Sequence, residues 1–335
     1  MKRKIIKQGH NTLTITLPSN WAKKFSLAPG SEIELTEKDN GLLISTEQSS
    51  SLGKTEINID NMDIPTIWKY LMGIYREGYD EVKITFSPSL KLESPYKFFA
   101  QHKEDIKYKK EKHGKGPLDF FHELVNRFIG FEITSHGEGF IIIREMSEAT
   151  SKEFENSLRR VFFLIQQMAE ETCKALSKNK PELLTHIHDV DVNLDKFHDY
   201  CIRILNKKGN REYGKPNLIF SMLYLLELLG DEYKNISHHL LQDFSEKSNL
   251  KNLKEMADSV KEQIDHLYTL YYKFDKELVL RISEIDKKRY FNVKALYKKT
   301  ETNEEKEIFH HLRIITRYIN AITELIIELA ISPEN

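Results

Sequence analysis

The sequence predicts a multidomain α+β protein, and three observations carry that prediction. A β-rich amino end breaks on the polar run Gln48-Ser49-Ser50-Ser51-Leu52-Gly53, a β-α-β order follows, and from Ser147 onward apolar residues recur three and four apart with few prolines. The chain has 335 residues, 40% hydrophobic and 30% charged, which suits several modest cores better than a single large one. Its 50 Lys and Arg against 51 Asp and Glu give a formal charge of -1, so neither a polycationic coat for nucleic acid nor an acidic solvating tail is expected.

At the amino end, Ile5, Leu13, Ile15 and Leu17 sit among Thr and basic residues around the turn Gly9-His10-Asn11, which reads as a β-hairpin. Pro18-Ser19-Asn20 opens a short helix over Trp21 to Phe25, closed by Ala28-Pro29-Gly30. IEL (33–35) and LLIS (42–45) then flank an Asp39-Asn40-Gly41 turn. This first domain, 1–47, is too small to bury its strands alone, so a second copy is expected to cover them. The polar run after it reads as a linker.

A second domain is placed at 54–146. TEINID (55–60) is a strand, Pro65 to Glu77 a helix with Ile67, Leu71, Ile74 and Tyr75 on one side, and EVKITF (81–86) the next strand. Residues 87–117, proline-bearing and rich in lysine, read as an exposed insertion. A helix over Asp119 to Ile129 and a hairpin about His136-Gly137-Glu138-Gly139 complete this small α/β segment. The third domain, 147–335, is read as six helices near 150–177, 182–207, 217–244, 251–276, 278–299 and 303–331. They group as two three-helix repeats, about 147–245 and 250–331.

Two features carry chemistry. Asp191 and Asp195, and again Glu227 and Asp231, stand four residues apart, which puts each pair on one helix face. Like charges so placed in helices that need their apolar residues for packing call for a compensating cation, and oxygen-only ligands suit hard ions. From spacing alone, a solvated acidic face served by Lys196, Arg203 and Lys234 is the plainer reading. His186, His188 and His198 are near enough to join such a site but are not counted as ligands. His238-His239 and His310-His311 are read as histidines outside any cluster.

The second feature is basic. Residues 1–31 hold Lys2, Arg3, Lys4, Lys7, Lys23 and Lys24, and doubled by a two-fold partner such a patch can meet phosphates across a DNA groove. A solubilising or edge-protecting strand explains the same charges equally well. No G-x-S-x-G, phosphate loop or H-E-x-x-H occurs, so catalysis is not expected. Cys173 and Cys201 read as packing residues, and with no signal core or membrane-length apolar run the protein is expected to be soluble and cytoplasmic.

Residues 3–45, RKIIKQGHNTLTITLPSNWAKKFSLAPGSEIELTEKDNGLLIS, resemble the AbrB/MazE/SpoVT swapped-hairpin domain. That resemblance implies a homodimeric β-barrel of interleaved hairpins that binds DNA, with Lys2, Arg3, Lys4 and Lys7 as phosphate contacts. The helical part resembles the PhoU family of phosphate-uptake regulators through DVNLD (191–195) and ELLGDEYKNI (227–236). The family's E/D-x-x-x-D motifs bind metal, so Asp191, Asp195, Glu227 and Asp231 become its ligands for iron, manganese, magnesium or calcium. In the second repeat Arg313 and Arg317 stand where the acids would be and DKKRY (286–290) lacks its second acid, so one metal site is expected where the family has two. The order of modules is similar to AbrB-fused PhoU proteins of archaea. It implies a non-catalytic regulator of phosphate uptake, a homodimer with DNA and a phosphate transporter or sensor protein as partners and no membrane insertion. A dimeric interaction scaffold with neither metal nor DNA is the alternative, and a metal-dependent hydrolase a more distant one.

Overall fold

A computed structural model describes residues 2–38, 41–46, 53–92, 117–147, 150–242 and 248–331. The chain divides into two compact units, Met1–Ser51 and Leu52–Asn335. The linker and most of the lysine-rich insertion lie outside the described residues.

In the first unit, β1 (Ile6–Gln8) and β2 (Thr12–Thr14) pair antiparallel with Ile6 opposite Thr14. Gly9 takes the left-handed backbone, φ +73°, that lets the turn close without a Cβ clash. Helix α1 (Ser19–Lys24) follows Pro18, and β3 (Glu34–Lys38) pairs antiparallel with β4 (Gly41–Ser45). The two hairpins form separate two-stranded sheets within the chain, and α1 buries no residue. Ile5, Ile6, Leu13, Ile15, Leu35 and Leu42 are all between 47% and 68% exposed.

The second unit starts with a β-α-β element. Strand β5 (Lys54–Asn58) lies parallel to β6 (Glu81–Thr85), with α2 (Ile64–Glu77) between them in sequence. Asp63 caps α2 by accepting from the Thr66 amide at 2.9 Å, and Gly78 at φ +106° ends it. Helix α3 (Pro117–Val125) and the hairpin β7 (Phe131–Gly137) and β8 (Phe140–Glu145) complete a four-stranded sheet of order β5-β6-β8-β7. Tyr75 from α2 is fully buried, stacks on Phe128 at 4.6 Å and donates its hydroxyl to the Ile129 carbonyl at 2.9 Å.

The helical part comprises α4 (Ser151–Lys178), α5 (Ile187–Glu212), α6 (Pro216–Gln242), α7 (Lys254–Tyr272), α8 (Lys276–Lys298) and α9 (Asn303–Ala330). Thr150 and Glu153 form a reciprocal capping box at the start of α4, and Thr302 caps α9. Helices α4, α5 and α6 pack on one another, as do α7, α8 and α9; α4 meets α7 and α6 meets α9. Apolar residues at helical spacing explain this: α4 buries Phe154, Leu158, Val161, Ile165 and Met168, and α9 buries Ile308, Leu312, Ile315, Ile319 and Ile322. Helix α8 is the least covered, burying Ile282, Arg289 and Leu296.

The structure departs from the sequence reading at several element ends, α3 stopping at Val125 and α7 spanning Lys254–Tyr272 among them, and at a domain boundary. Residues 181–184 form a 3-10 turn, so α5 begins at Ile187 rather than near 182. Helix α5 then continues through Gly209 and Asn210, expected as its break, to Glu212, ahead of Pro216. The domain boundary read near 147 falls inside a single unit with a continuous core, because α2 packs against α5. Three side chains of α5 fasten that contact. Arg203 donates to the Tyr75 and Tyr79 carbonyls at 2.8 and 2.9 Å, Asn206 to the Arg76 carbonyl at 2.8 Å, and Lys207 bridges Asp80 and Glu145 at 2.7 and 2.6 Å.

Candidate functional site

Helices α5 and α6 are joined by residues 213–215 and lie side by side, which brings the two acidic pairs face to face. Close approach is helped by Gly230, where a Cβ would come within 2.8 Å of Leu194 Cδ1. Asp191 is 2% exposed, while Asp195, Glu227 and Asp231 are half-buried. Lys234, one turn beyond Asp231, donates to Asp191 Oδ2 at 2.8 Å and also to Asp231 Oδ1. Asp191 Oδ1 is buried with no hydrogen-bond partner, and Asp195 makes no hydrogen bond or ion pair among the described residues.

Electrostatics follow from that crowding. Burial raises the Asp195 carboxyl well above the usual range, and the neighbouring Asp191 charge adds to the effect. Burial also raises Asp191, against the pull of Lys234. Glu227 is pushed up to about 7, by burial first and then by Asp231. For Lys234, burial works against the ammonium, but Asp191 and Asp231 outweigh it and hold its pKa above the ordinary lysine value. Arg127 acts on Asp191 and Asp195 and Arg76 on Glu227 besides Lys234, so the acids are partly compensated, and the unpartnered Asp191 oxygen is the feature that suits a hard cation. An ion coordinated by both Asp191 and Asp231 would have to take the place of the Lys234 ammonium.

Beside this cluster, Arg76 of α2 reaches Asp199 Oδ1 with Nε at 2.7 Å and Nη2 at 2.5 Å, and donates to the Tyr224 hydroxyl at 3.1 Å. His198 is fully buried with Nδ1 3.2 Å from Asp199 Oδ1, and burial lowers its pKa, so it sits neutral. Of the three basic partners read for the acids, Lys234 alone takes that role among the described residues. Lys196 donates to the Asn126 carbonyl at 2.9 Å, and Arg203 serves the α2 terminus. His186 pairs with Glu171 at 2.8 Å. In the second repeat, Asp286 is taken up by Arg289 and by Asn320, the latter at 3.1 Å, while Arg313 and Arg317 are exposed.

A further group escapes sequence reading. His239 on α6 and Glu307 and His311 on α9 place one ligand atom each within 4.8 Å of one another. The i, i+4 spacing of Glu307 and His311 was visible, but the partner histidine lies on a helix whose contact with α9 no local pattern announces.

In the first unit, Lys2, Arg3, Lys4 and Lys7 are all exposed, and Lys7 lies in β1 opposite Leu13. The family model described as "Antidote-toxin recognition MazE, bacterial antitoxin" matches residues 6–51, so this unit carries a MazE/AbrB-like module. The match ends at residue 51 and does not extend into the second unit. No curated protein matches the chain. No helix among the described residues is long and apolar enough to cross a membrane.

Proposed function

We propose that this protein is a non-catalytic, homodimeric DNA-binding regulator: its MazE/AbrB-like module pairs with a second copy and grips phosphates, and its helical part responds to a bound cation. The observation that carries the reading is the half-exposed apolar set of the first unit, Ile5, Ile6, Leu13, Ile15, Leu35 and Leu42, on a module too small to cover it. Covering such side chains is worth on the order of 1–2 kcal/mol each, and a second copy offers the complementary set. Four exposed basic residues at the start of each chain would then double across the dimer.

The test is DNA binding by the full chain across a salt series. Replacing Lys2, Arg3, Lys4 and Lys7 together by Ala is expected to weaken binding to all sequences and to flatten the dependence of log affinity on log salt, by about one unit for each phosphate no longer neutralised. No binding to a pool of random duplexes at low salt removes the DNA half of the reading.

The finer reading is regulation of phosphate uptake in the cytoplasm, through a transporter or sensor protein, with Asp191, Asp195, Glu227 and Asp231 holding iron, manganese, magnesium or calcium. It is supported by the PhoU resemblance of 191–195 and 227–236 and by the buried, unpartnered Asp191 oxygen among these acids. Metal content of the wild type against Asp195→Ala combined with Asp231→Ala tests it. Equal content in both removes the metal site from these four carboxylates.

A further inference from the structure

Two imidazoles and a carboxylate meet where α6 crosses α9. The ligand atoms of His239, Glu307 and His311 lie within 4.8 Å of one another, and the rings of His239 and His311 face each other with centroids 5.2 Å apart and planes inclined by 30°. Glu307 and His311 are one helical turn apart and share a face of α9. Glu232, two turns before His239 on α6, holds His311 from the other side, with Oε2 2.6 Å from Nδ1.

That last contact fixes the chemistry of His311. A carboxylate only accepts, so in the neutral ring Nδ1 donates to Glu232 and Nε2 keeps its lone pair. Nε2 is buried and has no hydrogen-bond partner. A histidine whose outer nitrogen is held by a carboxylate while the other is bare has the arrangement of a metal-ligating imidazole with its supporting acid. Glu307 is exposed, so an ion can arrive from solvent.

We propose that His239, Glu307 and His311 bind a borderline divalent transition metal of the zinc class, clipping the first three-helix unit to the second. Nitrogen donors set this site apart from the oxygen-only acids of α5 and α6 and select against magnesium and calcium. Three protein ligands leave a fourth tetrahedral position for water or an anion. Glu232 is a positioning residue, acting through His311.

The experiment uses the full chain without added histidines, stripped by chelator and titrated with Zn²⁺ against a chromophoric competitor, then with Co²⁺ for its visible spectrum. One equivalent of Zn²⁺ that raises the thermal midpoint, with Co²⁺ bands of tetrahedral intensity, is the expected result. His239→Ala and Glu307→Gln alter half-buried and exposed positions, so they should fold, and each should abolish stoichiometric uptake and the Co²⁺ bands. Glu232→Gln should weaken affinity by about 10–100-fold while keeping the bands. His186→Ala, a histidine engaged with Glu171, should bind as the wild type does. Wild-type protein that takes up no Zn²⁺ at micromolar concentration, or uptake that survives His239→Ala combined with His311→Ala, overturns the proposal.

Discussion

Arg203 shows how much one side chain can hold. It is fully buried, donates to two carbonyls at the end of α2, pairs with Glu145 at 3.1 Å and lies over the rings of Tyr75 and Phe131 at 5.0 and 4.7 Å. Replacing it with Met fills the volume but takes the side-chain donor from the Tyr79 carbonyl, whereas the Tyr75 carbonyl keeps the Gly78 amide and Glu145 keeps Lys207. A loss of about 3 kcal/mol is expected, at the low end for a broken buried pair, and a urea midpoint measures it. Glu227 makes a second prediction. Its carboxyl is raised in the folded chain from an ordinary 4.5 to about 7, so between those values the native state holds more proton than the unfolded one. Stability must therefore fall as pH rises through that window and level off above it. Asp191 and Asp195 are raised too and act in the same direction. In chelator, Glu227→Gln should flatten the slope of urea midpoint against pH; an unchanged slope would assign the effect to the aspartates. Both acidic pairs were legible in the sequence because i, i+4 spacing is local. Arg203's true partners were not, since Tyr75 and Tyr79 lie 128 and 124 residues away along the chain.

At the scale of elements, α5 against α6 is the contact that builds the acidic cluster, and Gly230 sets its closeness. Alanine is the better helix former by about 1 kcal/mol, yet its Cβ would press on Leu194, which is itself fully buried. Overpacking costs about 1–3 kcal/mol, so Gly230→Ala is expected to destabilise by about 1 kcal/mol net. Adding Leu194→Ala should recover the helix-propensity gain, and a double-mutant cycle reads that coupling. Most element types were readable from period and turn chemistry, the hairpin at Gly9 and the β-α-β order of β5, α2 and β6 among them. The ends of α5 were not. Gly209 counts against a helix locally, but a helix of 26 residues with a packed apolar face outweighs that penalty. The leucines of Pro181–Leu184 fit helical spacing equally well as a single 3-10 turn.

For the whole molecule, the proposed dimer rests on the exposed hairpins of the first unit. Leu13→Asp with Ile15→Asp places charge where a second copy would be buried, and the full chain is expected to sediment as a monomer while retaining its helical circular dichroism. A dimer that persists would move self-association elsewhere in the molecule. The break after the first module was legible from composition, but the fusion of 54–146 to the helices was not, because it depends on Arg76, Arg203 and Lys207 finding partners far along the chain. That fusion limits how the gene can be dissected. Cutting ahead of Ser147 would strip α5 of the α2 backbone it fastens and leave Arg203 and Lys207 as bare cations on raw hydrophobic faces. An expression fragment beginning near residue 53 should behave as a soluble piece, and one beginning near 147 should precipitate.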